Sequence, residues 1–361
     1  PFFFQAVEVI RDCVASRCLG DVYKRQVMCI YIAGHLLPQS EIEIPMSIES
    51  DVNALATDSG RSTGSQGHLA AKRYLLERLS ALSLEPYRDG TFEIGYQANG
   101  QDYSNILAMI EGTEPDLSPV LLGAHYDAVE GTPGADDNAV AVAILLDIAE
   151  RLEPHTFRRS VIFAFFDAEE PPNFLTTSMG SIRFFEDQRE DDIHCAIIMD
   201  LVGHDVPMQG FEDLVFVTGM ESHPGLADTI KSVLPFNGIR ALPLLNEYVG
   251  DLSDHHIFRV NEVPYLFLSC GIWAHYHRDT DTPDKLNYSK AGTIAEFVTS
   301  LAEDISTRSL EGSSGGYDTA DIEAKYINQT LKWVLPPGGI SGRKQIDELV
   351  TTITDRFGIG Y

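Results

Sequence analysis

Seven side chains that can bind a metal ion or move a proton occur in a fixed order between residues 121 and 283 of the chain. They are His125, Asp127, Asp137, Glu169, Glu170, Asp200 and His277. Imidazole and carboxylate donors contributed by several separate segments are the ligands that a two-zinc hydrolytic site uses. The pattern therefore predicts metal-assisted hydrolysis, and the prediction rests on the ordered set because each residue alone is common.

Each of these residues also has an ordinary structural interpretation. His125 could be a buried histidine at a strand end, and Asp137 could cap the helix predicted to begin at Asn138, since Asp is a favoured N-cap residue. The adjacent glutamates could be a solvated loop pair. His277 competes as a ligand with three other histidines, which are His275, His255 and His256.

Short apolar runs predict buried strands directly before most of these side chains. The runs are Val120–His125, Arg159–Asp167 and Ala196–Asp200. Further strands are predicted at Thr91–Tyr96, Ser104–Ile110, Leu214–Thr218 and Pro264–Ser269, and helices at Gly67–Leu84, Asn138–Leu152, Ser178–Glu186, Pro224–Leu234 and Ser289–Ser306. This alternation predicts an α/β fold, with a mostly parallel mixed sheet flanked by helices on both faces. Ligands of such sheets bind at the carboxyl ends of the strands, so we expect the candidate residues at one edge.

The composition excludes some partners. The formal net charge is −28, from 26 basic and 54 acidic side chains, which disfavours nucleic acid and anionic membranes. With 44% hydrophobic residues, the chain can bury a large core. Val27–Leu37 is apolar but shorter than the roughly 20 residues of a membrane span, so we expect none there.

The domain prediction has three parts. Residues 1–37 are interpreted as a poorly structured or non-native extension, 51–306 as the catalytic domain, and 307–361 as a C-terminal extension. In the last part, Thr319–Val334 and Arg343–Arg356 are predicted helices. An odd set of five cysteines is not a disulfide framework, and Cys195 and Cys270 are expected to be buried thiols.

Five motifs carry a family resemblance. G-A-H-Y-D-A-V, P-G-A-D-D-N, F-F-D-A-E-E, M-D-L-V-G and Y-H-R-D-T-D-T-P-D closely resemble those of the co-catalytic zinc aminopeptidases, peptidase family M28. The similarity covers roughly Asp51 to Ser306, and S-D-H-H-I-F at Ser253–Phe258 is also similar. Asp279 departs from the family pattern, which usually has proline there. The resemblance implies a zinc-exopeptidase fold of the phosphorylase/hydrolase-like kind.

The resemblance also implies a role for each candidate residue. Two zinc ions would be bridged by Asp137, with His125 and Asp200 completing one and Glu170 and His277 the other. Glu169 would be the general base, and Asp127 would orient a ligand histidine. Tyr276 would donate a hydrogen bond to the developing oxyanion.

The sequence therefore predicts a zinc-dependent aminopeptidase that acts on peptides with a free N-terminus. The first alternative is a glutaminyl cyclase, which resembles this family but works with one zinc. The second is a non-catalytic receptor-like domain on the same fold, although such domains typically lose ligands. The side-chain preference and the oligomeric state stay open, as does the choice between an exported protein lacking its native signal and a cytoplasmic one.

Overall fold

The computed structural model describes residues 47–82, 84–88, 90–312 and 317–357. The predicted N-terminal extension lies outside these residues, and so do Cys13, Cys18 and Cys29. Among the described residues, no helix combines the length and the apolar character needed to cross a membrane.

Nine strands of the described residues form one mixed sheet. They are β1 Glu85–Pro86, β2 Glu93–Ala98, β3 Gln101–Ile110, β4 Val120–His125, β5 Val161–Phe166, β6 Cys195–Met199, β7 Leu214–Thr218, β8 Arg240–Pro243 and β9 Tyr265–Ser269. The order is β1-β3-β5-β4-β6-β9-β7-β8, and β2 pairs with β3. The predicted α/β class with a mixed sheet is confirmed.

The centre of the sheet is parallel. β5, β4, β6 and β9 are parallel neighbours, whereas β3 and β7 run antiparallel to this central group. All residues of β4, β5, β6 and β9 are buried, which explains their continuous apolar sequences. The carboxyl ends of these four strands therefore meet at one edge of the sheet.

Helices cover both faces of the sheet. They are α1 Ile48–Leu55, α2 Gln66–Ser80, α3 Val140–Arg151, α4 Gly180–Arg183, α5 Pro224–Val233, α6 His255–Val260, α7 Tyr288–Thr307, α8 Ala320–Thr330 and α9 Gly342–Phe357. On one face, α3 packs between α1 and α7 and is apolar almost all round, as a buried helix must be. On the other face, α4 packs on β3 and α6 on β6 and β9.

Several elements differ from the sequence prediction. Helix α3 begins at Val140, not Asn138, because Asp137 and Asn138 have non-helical backbone angles within a π-turn at Ala135–Ala139. Strands β1 and β8 and helices α1 and α6 were not predicted, and β1 and β8 have only two and four residues. Helix α1 does carry a readable signal, a capping box formed by Ser47 and Ser50.

The C-terminal helices share the main core. Ile327 of α8 and Ile346 of α9 are buried in the same apolar cluster as the sheet. Asn328 and Ile340 exchange hydrogen bonds of 2.8 Å that close the turn between the helices. Cys195 and Cys270 are buried free thiols, as predicted.

Candidate metal centre

The candidate residues lie where the parallel strands end. His125 is the last residue of β4, Glu169 and Glu170 follow β5, and Asp200 directly follows β6. Ala168 and Leu201 adopt positive φ angles of 57° and 54° at the turns that leave β5 and β6. These turns direct the acidic side chains to the same edge of the sheet as His125.

A first group of donors contains His125, Asp137 and Asp200, and all three are buried. The Nε2 atom of His125 lies 3.4 Å from Oδ1 of Asp137 and 3.7 Å from Oδ2 of Asp200. These atoms could hold one metal ion between them.

A second group contains Asp137, Glu170 and His277. The Nε2 atom of His277 lies 3.1 Å from Oδ2 of Asp137 and 3.3 Å from Oε2 of Glu170. The two carboxylate oxygens of Asp137 therefore face different histidines, which makes Asp137 common to both groups. Glu169 forms a third possible group with His125 and Glu170, and its Oε2 lies 3.9 Å from Nε2 of His125.

The rival histidines lie elsewhere. His275 pairs with Thr280 at 2.8 Å, and His256 pairs with Asp251 at 3.0 Å. His255 is buried, contacts the carbonyl of Gly250 at 3.0 Å and stacks on Phe267. Among these histidines, only His277 belongs to a donor group with Asp137 and Glu170 in the described residues.

Asp127 connects the two sides of the site. Its Oδ1 atom lies 3.4 Å from Nδ1 of His125. Its two oxygens also accept backbone N–H bonds from Glu169 at 3.0 Å and from Glu170 at 3.1 Å. A single buried carboxylate thus fixes the turn that carries both glutamates and faces the imidazole of His125.

The loop that carries Asp137 is held from two directions. The carboxylate of Asp281 accepts the backbone N–H groups of Asp136 at 2.9 Å and Asp137 at 3.1 Å. The buried guanidinium of Arg61 donates to the carbonyls of Pro133 at 2.6 Å and Gly134 at 2.8 Å. No sequence pattern indicates the role of Arg61, because Pro133 and Gly134 lie 72 and 73 residues away along the chain. Asp281, in contrast, belongs to the Y-H-R-D-T-D-T-P-D motif.

Asp254 is a further acid near the site. It belongs to the S-D-H-H-I-F motif and is completely buried, and neither of its oxygens has a hydrogen-bond partner among the described residues. Burial raises the pKa of Asp254 to about 7, while His125 lowers it. Tyr276, beside His277, stacks on that imidazole with ring centres 3.7 Å apart.

The electrostatics of the site suit a cation. Burial raises the pKa of Glu170 to about 8, and the nearby carboxylate of Asp137 adds to this effect. Burial lowers the pKa of His277, but Asp137 and Glu170 outweigh it and raise the value to about 10. The carboxylates thus repel one another and attract any positive charge, which is the environment a divalent metal ion neutralises.

Several buried polar atoms of the donor groups are available to bind a metal ion. Both ring nitrogens of His125, Oε1 of Glu170 and Oδ1 of Asp200 are buried without hydrogen-bond partners in the described part of the chain. Buried polar atoms rarely stay unpaired unless they bind an ion or water. Imidazole nitrogens and carboxylate oxygens are the zinc ligands that remain when no thiolate is near.

Comparison with known proteins gives distant relatives. The uncharacterized protein YfbL of Escherichia coli (strain K12) is 25% identical over 232 residues, which are 56% of this chain and 71% of that protein. Endoplasmic reticulum metallopeptidase 1 of Mus musculus is 25% identical over 282 residues, which are 71% of this chain and 30% of that protein. The chain thus spans less than a third of the mouse relative.

Two solved structures share the fold. The aminopeptidase LapA of Legionella pneumophila superposes with a TM-score of 0.61 at 17% identity, covering 73% of this chain and 71% of that one. The glutaminyl cyclase of Bacteroides thetaiotaomicron, solved with N-acetylhistamine, superposes with a TM-score of 0.57 at 17% identity, covering 73% of this chain and 97% of that one.

The family is shown by a match along the sequence. Residues 105–302, more than half of the 361-residue chain, match the model of peptidase family M28. The matched segment contains all seven candidate residues and both donor groups that share Asp137. The chain is therefore a member of peptidase family M28, a family of zinc-dependent hydrolases.

Proposed function

We propose that this protein is a two-zinc aminopeptidase. The observation that carries the proposal is the pair of donor groups that share Asp137, because its two oxygens face His125 and His277 separately. His125, Asp137 and Asp200 would hold one ion, and Asp137, Glu170 and His277 the other. Bound zinc supplies Lewis acidity and lowers the pKa of a coordinated water.

Glu169 is the base in this proposal. Its carboxylate is buried beside His125, and it lies outside the two groups that share Asp137. Burial raises the pKa of Glu169 well above its usual range, and the neighbouring Glu170 raises it further, while His125 lowers it. A carboxylate with a raised pKa can take a proton from water and pass it to the leaving amine.

Tyr276 and Asp127 have supporting roles in this proposal. Burial, together with the charge of Asp137, raises the pKa of Tyr276, so its hydroxyl stays protonated and can donate to a developing oxyanion. Asp127 orients His125 and holds the turn of the two glutamates.

The acidic surroundings favour a substrate with a positively charged end. Asp137, Glu169, Glu170 and Asp200 lie together, and the carboxylate of Asp254 is buried close by. A surplus carboxylate can form a charge-assisted hydrogen bond with a substrate ammonium group. That contact would fix the first peptide bond of the substrate at the site and exclude internal bonds.

A comparison of a dipeptide amide with its N-acetyl form tests the proposal. We expect acetylation to lower kcat/KM by more than about tenfold, which corresponds to about 1.4 kcal/mol, because the ammonium contact is lost. Equal rates on the two substrates would rule out an aminopeptidase and favour an endopeptidase.

A glutaminyl cyclase is the second candidate, because a solved glutaminyl cyclase shares the fold over 73% of this chain. The two activities give different products from a peptide that begins with glutamine. Hydrolysis releases free glutamine, whereas cyclisation releases ammonia and leaves a pyroglutamyl peptide. Mass spectrometry of the products therefore separates them, and we expect free glutamine.

A further inference from the structure

His204 is a buried histidine that belongs to neither of the donor groups that share Asp137. It follows Asp200 in the loop that leaves β6, and its side chain is fully buried. Its Nε2 atom has no hydrogen-bond partner in the described part of the chain. The other atoms of its ring contact the two further loops that carry candidate metal ligands.

The first contact joins His204 to the loop of Asp137. Its Nδ1 atom lies 2.6 Å from Oδ2 of Asp136, the residue before Asp137. The other carboxylate oxygen of Asp136 accepts the backbone N–H groups of Gly203 at 2.7 Å and His204 at 3.1 Å. A Cβ atom at Gly203 would lie 3.0 Å from this oxygen, so glycine permits the close approach. The loops that carry Asp137 and Asp200 are therefore held against each other.

The second contact joins His204 to the loop of His277. Its imidazole ring stacks on the indole of Trp273, with ring centres 4.6 Å apart and an angle of 13° between the ring planes. The carbonyl of Trp273 accepts the backbone N–H of Tyr276 at 3.2 Å, and Tyr276 stacks on His277. The stack on Trp273 thus reaches the second donor group through a single backbone turn.

Both donor groups depend on how these three loops are placed. The first group takes Asp137 and Asp200 from two of them, and the second takes Asp137 together with His277 from the third. His204 contacts all three loops, through its backbone, its Nδ1 atom and its ring face. Residues that orient the ligands without binding the metal control the affinity of such a site.

We propose that His204 is a positioning residue that sets the separation between Asp137 and His277 through its stack on Trp273. The inference rests on the proposed assignment of one zinc ion to each donor group, and it adds a residue that is in neither group. Because Trp273 lies in the loop of His277, loss of the stack should affect the ion that His277 holds. The ion held by His125, Asp137 and Asp200 should be affected much less.

Two substitutions of His204 separate the stack from the hydrogen bond. His204→Asn keeps a side-chain N–H close to the position of Nδ1, so it can still donate to Asp136, but it removes the ring. His204→Phe keeps a ring against Trp273 and removes the hydrogen bond. Trp273→Leu removes the stack from the other side. Trp333→Leu is its matched control, because the side chain of Trp333 is 82% exposed.

Competition with a chelator measures the two zinc affinities of each protein, and the ion that His277→Ala loses identifies the step that depends on His277. We expect His204→Asn and Trp273→Leu each to weaken that step by at least about tenfold, as the loss of an orienting contact does, and to leave the other step unchanged. The double variant should lose no more than either single variant, because both remove the same contact. His204→Phe should stay closer to the parent than His204→Asn, and Trp333→Leu should equal the parent.

Three results would overturn the inference. His204→Asn could keep the parent's affinity at the step that depends on His277, it could weaken both steps equally, or His204→Phe could lose as much affinity as His204→Asn. Circular dichroism and the Tm of the metal-free proteins report folding. If His204→Asn does not fold, Trp273→Leu takes its place, since Trp273 is only partly buried.

A fluorescence experiment separates this inference from the proposed function. The chain has two tryptophans, so Trp333→Phe leaves Trp273 as the only one. Acrylamide quenching of the metal-free protein then reports the exposure of the Trp273 indole. We expect His204→Asn to increase the quenching and His204→Phe to leave it unchanged, because a phenylalanine ring still covers one face of the indole.

The two proposals fail on different results. If the parent binds fewer than two zinc ions but the quenching follows this pattern, the two-zinc proposal fails and the link between the loops through His204 stands. Equal quenching of the parent and His204→Asn overturns the link, whatever the zinc content.

Discussion

At the residue scale, the adjacent glutamates differ in their partners. Glu170 lies 3.3 Å from His277 and belongs to the second donor group, whereas Glu169 lies 3.9 Å from His125. Their backbone N–H groups share the carboxylate of Asp127, so the turn itself does not distinguish them. The proposed separation of roles between base and ligand therefore rests on side-chain direction alone.

This separation of roles predicts that the same Glu→Gln substitution has different effects at the two positions. Glu169→Gln should keep the zinc content but lower kcat by at least about 10²-fold, the usual scale for a proton-transfer residue. Glu170→Gln should lower the zinc content, because an amide oxygen is a weaker ligand than a carboxylate. Elemental analysis and turnover are measured on both variants. Parent-rate turnover by Glu169→Gln, or equal zinc loss in both, would contradict the assignment.

At the element scale, two loops must be held at the correct distance. The loop after β9 carries His277, and the loop before α3 carries Asp137. Asp281 joins them, since its carboxylate accepts two backbone N–H bonds and its carbonyl accepts a third, from Ala135 at 3.2 Å. The separation between Asp137 and His277 thus depends on a residue that is in neither donor group.

Asp281→Asn should therefore weaken metal binding without removing a ligand. The two oxygens of Asp281 each accept one backbone N–H bond. In asparagine the amide oxygen would keep one of these bonds, and the NH₂ group would face the other N–H donor. Loss of such an orienting contact typically costs about 10–100-fold in metal affinity. Zinc affinity is measured by competition with a chelator, and Asp279→Asn, an exposed change in the same loop, is the control. Equal affinities for both variants would show that Asp281 does not set the geometry.

The elements at the site were also the most predictable from sequence. Buried parallel strands have continuous apolar sequences, so β4, β5, β6 and β9 were all predicted and their ends marked the site. The short strands β1 and β8 carry too few residues for a pattern. The role of Arg61 could not be predicted, because its carbonyl partners are brought to it only by the fold. The burial of the Asp254 carboxylate could not be predicted either, because the sequence shows this residue only as part of the S-D-H-H-I-F motif.

At the scale of the whole molecule, the site depends on the folding of distant segments together. Its residues extend from Arg61 to Asp281, and the described residues from Ser47 onward cluster as one compact unit. The C-terminal helices share the main core of that unit. Metal binding and folding should therefore be coupled, because the unfolded chain does not bring the two donor groups together.

The zinc content of the active protein tests the central claim most directly. Purified protein should contain close to two zinc equivalents per chain, should lose activity on treatment with a chelator, and should regain activity as the second equivalent is restored. Binding should weaken at low pH, because His125 and His277 must be neutral to bind metal. Full peptidase activity in protein that contains no divalent metal would contradict the two-zinc account.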